Sequence, residues 1–89
     1  MKCFIIGAKR DMGTYQGRDY DNVKLRVVYP AEGEAVQKGL EFGQRVAEYK
    51  VKTTIFPLEK AYEVSEKNQP IEFFFDQYQN VALVNILKG

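Results

Sequence analysis

The chain has 89 residues, of which 45% are hydrophobic and 13% aromatic, which is enough to build one core and excludes a disordered chain. The net charge of +1 excludes a polycation that coats DNA by charge alone. The longest apolar runs, Cys3 to Ile6 and Val81 to Val84, are too short for a membrane span or a signal peptide. We therefore expect a single cytoplasmic domain over residues 1–89, without membrane contact and small enough to gain stability as a homodimer.

The N-terminal part of the chain predicts a strand that leads into a hairpin arm. Lys2 to Ala8 is rich in apolar residues and predicts strand one, with either a β-bulge or a sharp coil of the sheet at Gly7. The arm follows over Lys9 to Arg18, and its glycines Gly13 and Gly17 predict a tight or bulged reversal.

Strand two is predicted over Asp19 to Tyr29, and Pro30 ends it because proline lacks the backbone donor. Its residues alternate strictly, which predicts one core face and one solvent face. The core face carries Val23, Leu25 and Val27, and the other face carries Tyr20, Asn22, Lys24 and Arg26.

The remaining segments predict three more strands and one short helix. Glycines and mixed charges mark a connection over Ala31 to Gly43, with one helical turn at Glu34 to Lys38. The other elements, in chain order, are strand three over Arg45 to Thr54, a helix over Leu58 to Ser65, strand four over Ile71 to Asp76 and strand five over Val81 to Leu87.

Strands four and five carry aromatic and apolar residues whose placement bears on function. Ile71, Phe73 and Phe75 share one face and are expected in the core. Phe74 lies on the opposite face between two acids, as either a stacking platform or a subunit contact. Strand five is apolar on both faces, which predicts a central strand or one that lies against a partner chain.

The solvent face of strand two and the arm has the residue types that single-stranded nucleic acids require. Unpaired bases stack on aromatic rings, and their phosphates need Lys or Arg nearby. Residues 1–29 hold six Lys/Arg against three Asp, whereas residues 30–89 hold seven against nine acids. The predicted contacts are stacking on Tyr15, Tyr20 and Phe74 with phosphate binding by Lys9, Arg18, Lys24, Arg26, Lys50 and Lys52. A simpler alternative is that both tyrosines cover a sheet edge and the charges keep it soluble.

The predicted element order, with a helix between strands three and four, is that of an OB-fold, a five-stranded Greek-key barrel with one short helix. The run Gly13-Thr14-Tyr15-Gln16-Gly17-Arg18-Asp19-Tyr20-Asp21-Asn22-Val23-Lys24-Leu25 resembles the binding arm of small helix-destabilising proteins of phages and plasmids, of the gene V type. This resemblance implies a homodimer that binds single-stranded DNA, or RNA, during replication of a phage or mobile element. It implicates Tyr15, Arg18, Tyr20, Lys24 and Arg26, together with Tyr78 in the closing strand pair.

The sequence offers little for catalysis. It contains no histidine, and Cys3 lies in an apolar segment that does not favour a thiolate. No phosphate-binding glycine loop is present, so we expect neither an enzyme nor a cofactor. The alternative to nucleic-acid binding is a β-rich interaction or structural module whose partner surface includes Tyr15, Phe74 and Tyr78.

Overall fold

The computed structural model describes residues 2–88 as a mainly β protein with one antiparallel sheet. The five strands are adjacent in the order β3-β2-β1-β4-β5, and residues of β3 also lie near β5. The elements are β1 (Lys2–Tyr15), β2 (Arg18–Pro30), α1 (Glu34–Gln37), β3 (Gln44–Lys52), α2 (Leu58–Glu66), β4 (Ile71–Phe75) and β5 (Val81–Ile86). The mainly β class, the five strands and the helix before β4 were all predicted.

The arm is regular strand almost to its tip, which corrects the expected length of the first strand. β1 continues past Ala8 to Tyr15 and pairs with β2 down to the Tyr15 and Arg18 row. The reversal needs only Gln16 and Gly17, whose φ angles of 52° and 75° suit a two-residue hairpin turn. The prediction that Gly13 forms part of the reversal was wrong, because Gly13 lies inside β1.

A β-bulge in β1 decides which residues of the hairpin face the core. Ile5 lies opposite Val27, but Gly7 lies opposite Arg26, so Ile6 is an extra residue in the ladder. Before the bulge Cys3 and Ile5 are buried, whereas after it Ala8 packs on the core. From Gly7 onward the odd-numbered residues of β1 therefore point outwards, away from the core.

The core lies on the inner side of the sheet, closed by α2 and by the β4–β5 pair. Val23, Leu25 and Val27 are fully buried, as their alternation predicted. Helix α2 packs on β1 with Ala61 and Val64 buried. No helix within residues 2–88 is long and apolar enough to cross a membrane.

One of the two alternatives for strand five and one expectation for strand four were wrong. β5 ends the strand order and does not lie in its middle, with Leu83 exposed while Val81 and Val84 are buried, and the alternative that β5 lies against a partner chain stays a prediction. Phe75 is 46% exposed instead of buried in the core, because the register shifts between Phe74 and Phe75. The Phe75 ring still lies near Tyr49, with 5.8 Å between ring centroids.

Candidate nucleic-acid interface

One outer surface of the sheet collects eight of the ten predicted site residues. Directly opposed residues of antiparallel strands project on the same side, so the strand pairing defines this surface. Across β1, Lys9 lies opposite Lys24, and Tyr15 lies opposite Arg18. Across β3, Lys24 lies opposite Lys50, and Asn22 lies opposite Lys52. We call this surface the basic face; its predicted members are Lys9, Tyr15, Arg18, Tyr20, Lys24, Arg26, Lys50 and Lys52.

Two glycines of β1 make room for the largest side chains of the basic face. A Cβ atom at Gly13 would lie 2.8 Å from the Tyr20 hydroxyl oxygen and 3.0 Å from its Cζ. A Cβ atom at Gly7 would lie 2.5 Å from Arg26 Nη2. The Tyr20 ring and the Arg26 guanidinium therefore lie close over backbone that carries no Cβ atom. A larger residue at Gly13 would displace the Tyr20 ring, and one at Gly7 would displace the Arg26 guanidinium.

Most cations of the basic face have no ion pair, whereas most cations elsewhere have one; Lys2 and Lys88 are the exceptions within residues 2–88. Within residues 2–88, Lys9, Arg18, Arg26, Lys50 and Lys52 have no ion pair, and Lys24 has one at 4.0 Å with Asp11. Away from this face, each of Arg10, Lys38, Arg45, Lys60 and Lys67 is paired with a carboxylate. The basic face thus presents charges that are free to meet phosphates.

A hollow of about 920 Å³ lies towards the hairpin tip on this side. Tyr15 and Tyr20 line it together with Arg18, Lys24 and Lys50. Tyr15 is 68% exposed, so its ring is open to a stacking partner. The hollow therefore combines aromatic surface with three cations within one concave region.

The reverse side of the hairpin carries two acids, Asp19 and Asp21, that already accept hydrogen bonds within the protein. Arg10 donates from Nε and Nη2 to Asp21 at 2.9 and 2.7 Å, and Thr53 Oγ1 donates to Asp21 at 2.7 Å. These hydrogen bonds, Arg10 first and then Thr53, lower the pKa of Asp21 to about 2. Thr14 Oγ1 likewise donates to Asp19 at 2.8 Å. The two sides of the hairpin are therefore electrostatically distinct, and the Asp21 cluster ties the hairpin to the end of β3.

The remaining two predicted residues lie outside the basic face. Tyr78 is 74% exposed on a turn that Asp76 holds, with Oδ1 accepting from the backbone N–H groups of Tyr78 and Asn80. A groove of about 360 Å³ joins Asp76 and Asn80 of this turn to Lys50 and Lys52, but Tyr78 does not line it.

Phe74 lies opposite Leu83 on the β4–β5 pair, and both side chains are exposed. It does not line the hollow. The structure thus does not bring Phe74 together with the two stacking tyrosines of the hairpin.

Sequence reasoning missed two groups of residues at this site. Gly7 and Gly13 were read as bulge and turn signals, and their role beneath Arg26 and Tyr20 follows only from the strand register. The Arg10 and Asp21 cluster depends on Thr53, far away in sequence. No family of known proteins matches the chain, and neither a curated protein nor a solved structure matches it.

Proposed function

We propose that this protein binds single-stranded DNA with little sequence selectivity. The observation that carries the proposal is the basic face, on which two tyrosines lie beside six cations. Five of these have no carboxylate partner within residues 2–88, and Lys24 has one at 4.0 Å. Bases stack on Tyr15 and Tyr20 while Lys9, Arg18, Lys24, Arg26, Lys50 and Lys52 contact phosphates. Stacking tolerates every base, and phosphate contacts read no sequence.

The charge distribution supports binding of moderate affinity. The whole chain has a net charge of +1, so its attraction to nucleic acid comes from the basic face alone and should weaken with salt. The extended shape of the hairpin suits a flexible strand, since the molecule measures 50 Å along its longest axis. RNA offers the same base faces and phosphates and is bound by the same contacts.

For the fold we propose a five-stranded OB-like Greek-key barrel. Support comes from the strand order β3-β2-β1-β4-β5, from the proximity of β3 to β5 and from the position of α2 between β3 and β4. In OB-folds the strand two and three surface binds oligonucleotides. Much of the basic face belongs to β2 and β3.

We also propose that the protein is a homodimer. Beyond Arg26, the outer side of the sheet becomes apolar, with Val28 opposite both Phe4 and Val46. Val46 is exposed, and nearby in sequence Phe42 is 96% exposed. Contiguous exposed apolar surface marks an interaction site, and a second copy would cover it while leaving the basic face open.

The test is titration with oligo-dT at two salt concentrations. The chain has six tyrosines and no tryptophan, so stacking quenches tyrosine emission directly. Tyr15→Ala should reduce affinity, by about 1–3 kcal/mol for a lost stacking platform. Tyr62→Ala is the matched control, because Tyr62 has the same 68% exposure but lies on α2. Absence of quenching and of salt-dependent binding in folded protein would exclude nucleic-acid binding and favour the β-rich interaction module.

A further inference from the structure

The basic face contains a carboxylate that phosphate binding does not explain. Asp11 lies directly opposite Asn22, in the row that ends at Lys52 on β3. A negative charge here repels phosphates and weakens the face for its proposed ligand. Asp11 also lines the hollow together with Asn22 and both tyrosines.

Asp11 is less engaged than the two acids on the reverse side of the hairpin. Asp19 and Asp21 accept hydrogen bonds of 2.7–2.9 Å. The nearest cation to Asp11 is Lys24, with Nζ 4.0 Å from Oδ2, and both side chains are 42% exposed. That distance exceeds a hydrogen bond, so the Asp11 oxygens can accept from a ligand.

Asn22, opposite Asp11, can donate hydrogen bonds, which an ionised carboxylate cannot. Its side-chain amide both donates and accepts, and within residues 2–88 no hydrogen bond ties it to the protein. On this face of the hairpin, the pair formed by Asp11 and Asn22 is next to the pair formed by Gly13 and Tyr20, and the Tyr20 ring lies over Gly13. A base stacked on Tyr20 would therefore have an acceptor-only carboxylate and an amide in the neighbouring row of the same face.

We propose that Asp11, with Asn22, reads the edge of the base stacked in this hollow and favours bases that carry an exocyclic amino group. Cytosine, adenine and guanine each offer an exocyclic amino donor to the carboxylate, whereas thymine and uracil offer only the ring N3–H, which lies between two carbonyl oxygens that the carboxylate repels. Lys24 and Asn22 donate to the neighbouring base acceptors. This inference rests on the proposed function and adds a base preference to a binding mode that otherwise tolerates every base.

The experiment compares oligo-dC with oligo-dU of equal length at mildly alkaline pH, where cytosine stays unprotonated. The two oligonucleotides match in charge and ring size and differ in the groups at ring positions 3 and 4. We expect about tenfold tighter binding of oligo-dC, as for one good base-edge contact. Asp11→Ala should bring this ratio close to one while strengthening binding of oligo-dU, because a repulsive charge is lost.

Glu48→Ala is the matched control. Glu48 lies on the same side of the sheet, opposite Arg26, two rows further from the tyrosines than Asp11 is. Its removal changes the net charge equally and should strengthen binding of both oligonucleotides without changing their ratio. Asn22→Ala is a second test variant, in which the ratio of oligo-dC affinity to oligo-dU affinity should also fall.

The outcomes separate this inference from the proposed function. Salt-dependent binding of both oligonucleotides with equal affinity by the unmodified protein would refute base-edge reading and leave the proposed function standing. A preference for oligo-dC that persists in Asp11→Ala would refute the role of Asp11. Failure to bind either oligonucleotide would overturn the proposed function and base-edge reading together.

Discussion

Gly13→Ala should weaken nucleic-acid binding while leaving the fold at least as stable. Gly13 lies in β1 directly opposite Tyr20, and its φ angle is not in the left-handed region. Alanine therefore fits the backbone, and replacing a strand glycine by alanine typically stabilises by about 0.5–1 kcal/mol. The new methyl group, however, would occupy the space beneath the Tyr20 ring.

The size of the displacement follows from the distances. The Cβ atom would lie 2.8 Å from the Tyr20 oxygen and 3.0 Å from Cζ, whereas carbon atoms in favourable contact are about 3.5–4.0 Å apart. The phenol end of the ring must therefore lift or swing aside, and it moves at little cost because the ring is exposed. Stacking of one base on an aromatic side chain contributes about 1–3 kcal/mol of binding free energy. Tyr20→Ala should lose all of this contribution and Gly13→Ala a part of it.

A double-mutant cycle tests this reasoning. Oligo-dT affinity is measured by fluorescence anisotropy for Gly13→Ala, Tyr20→Ala and the double variant, and unfolding free energies are measured by urea titration. If Gly13 acts through Tyr20, the double variant should bind no more weakly than Tyr20→Ala alone. Met12→Ala, on the other side of the same strand, is the control and should bind normally. Additive losses in the cycle, or an unfolded Gly13→Ala protein, would refute the reasoning.

Three further predictions concern charge and assembly. Arg26→Ala should lower the slope of log affinity against log salt by about 0.7, the value for one single-strand phosphate contact, whereas Lys67→Ala, just after α2, should leave it unchanged. Since the pKa of Asp21 is lowered from 3.8 to about 2, its stabilising contribution is present above pH 4 and is lost as the pH falls towards 2. Melting temperatures should therefore fall more steeply over that range than in Asp21→Asn, and parallel curves would contradict this. Sedimentation equilibrium should give a dimer mass at micromolar concentrations and a monomer mass for Val46→Glu; a monomeric unmodified protein would exclude the dimer.

Much of the sheet was predictable because one side of each central strand is buried. Strict alternation in β2 assigned its core and solvent faces correctly, since a strand side chain can point only to one side or the other. The bounds of α2 were predicted to within one residue because Pro57 and Asn68 flank it. The extent of the strands in the arm was harder to predict. Few side chains of the arm are buried in the core, so apolar and polar residues alternate only weakly there.

Three features could not be read from the sequence, and each depends on register. Gly7 signalled an irregularity in the sequence, but only the register shows that Ile6 is the extra residue and that the facing of every later residue in β1 is reversed. The role of Gly13 appears only once its opposite residue is known to be Tyr20. The second bulge, between Phe74 and Phe75, exposed a phenylalanine that simple alternation assigned to the core.

The separation of charge between the two sides of the hairpin follows from these register effects. Without the bulge, the alternation of β1 would place Lys9 and Asp11 on the side that now carries Arg10 and Met12. Lys9 would then leave the row it forms with Lys24 and Lys50. The bulge at Ile6 thus keeps Lys9 of β1 on the same side as the cations of β2 and β3, while Arg10 lies on the reverse side, where it neutralises Asp21. Deleting Ile6 removes the extra residue together with the bulge, so Gly7 should stay opposite Arg26 and Lys9 opposite Lys24. Oligonucleotide binding should therefore survive this deletion, and its loss would contradict this account of the bulge.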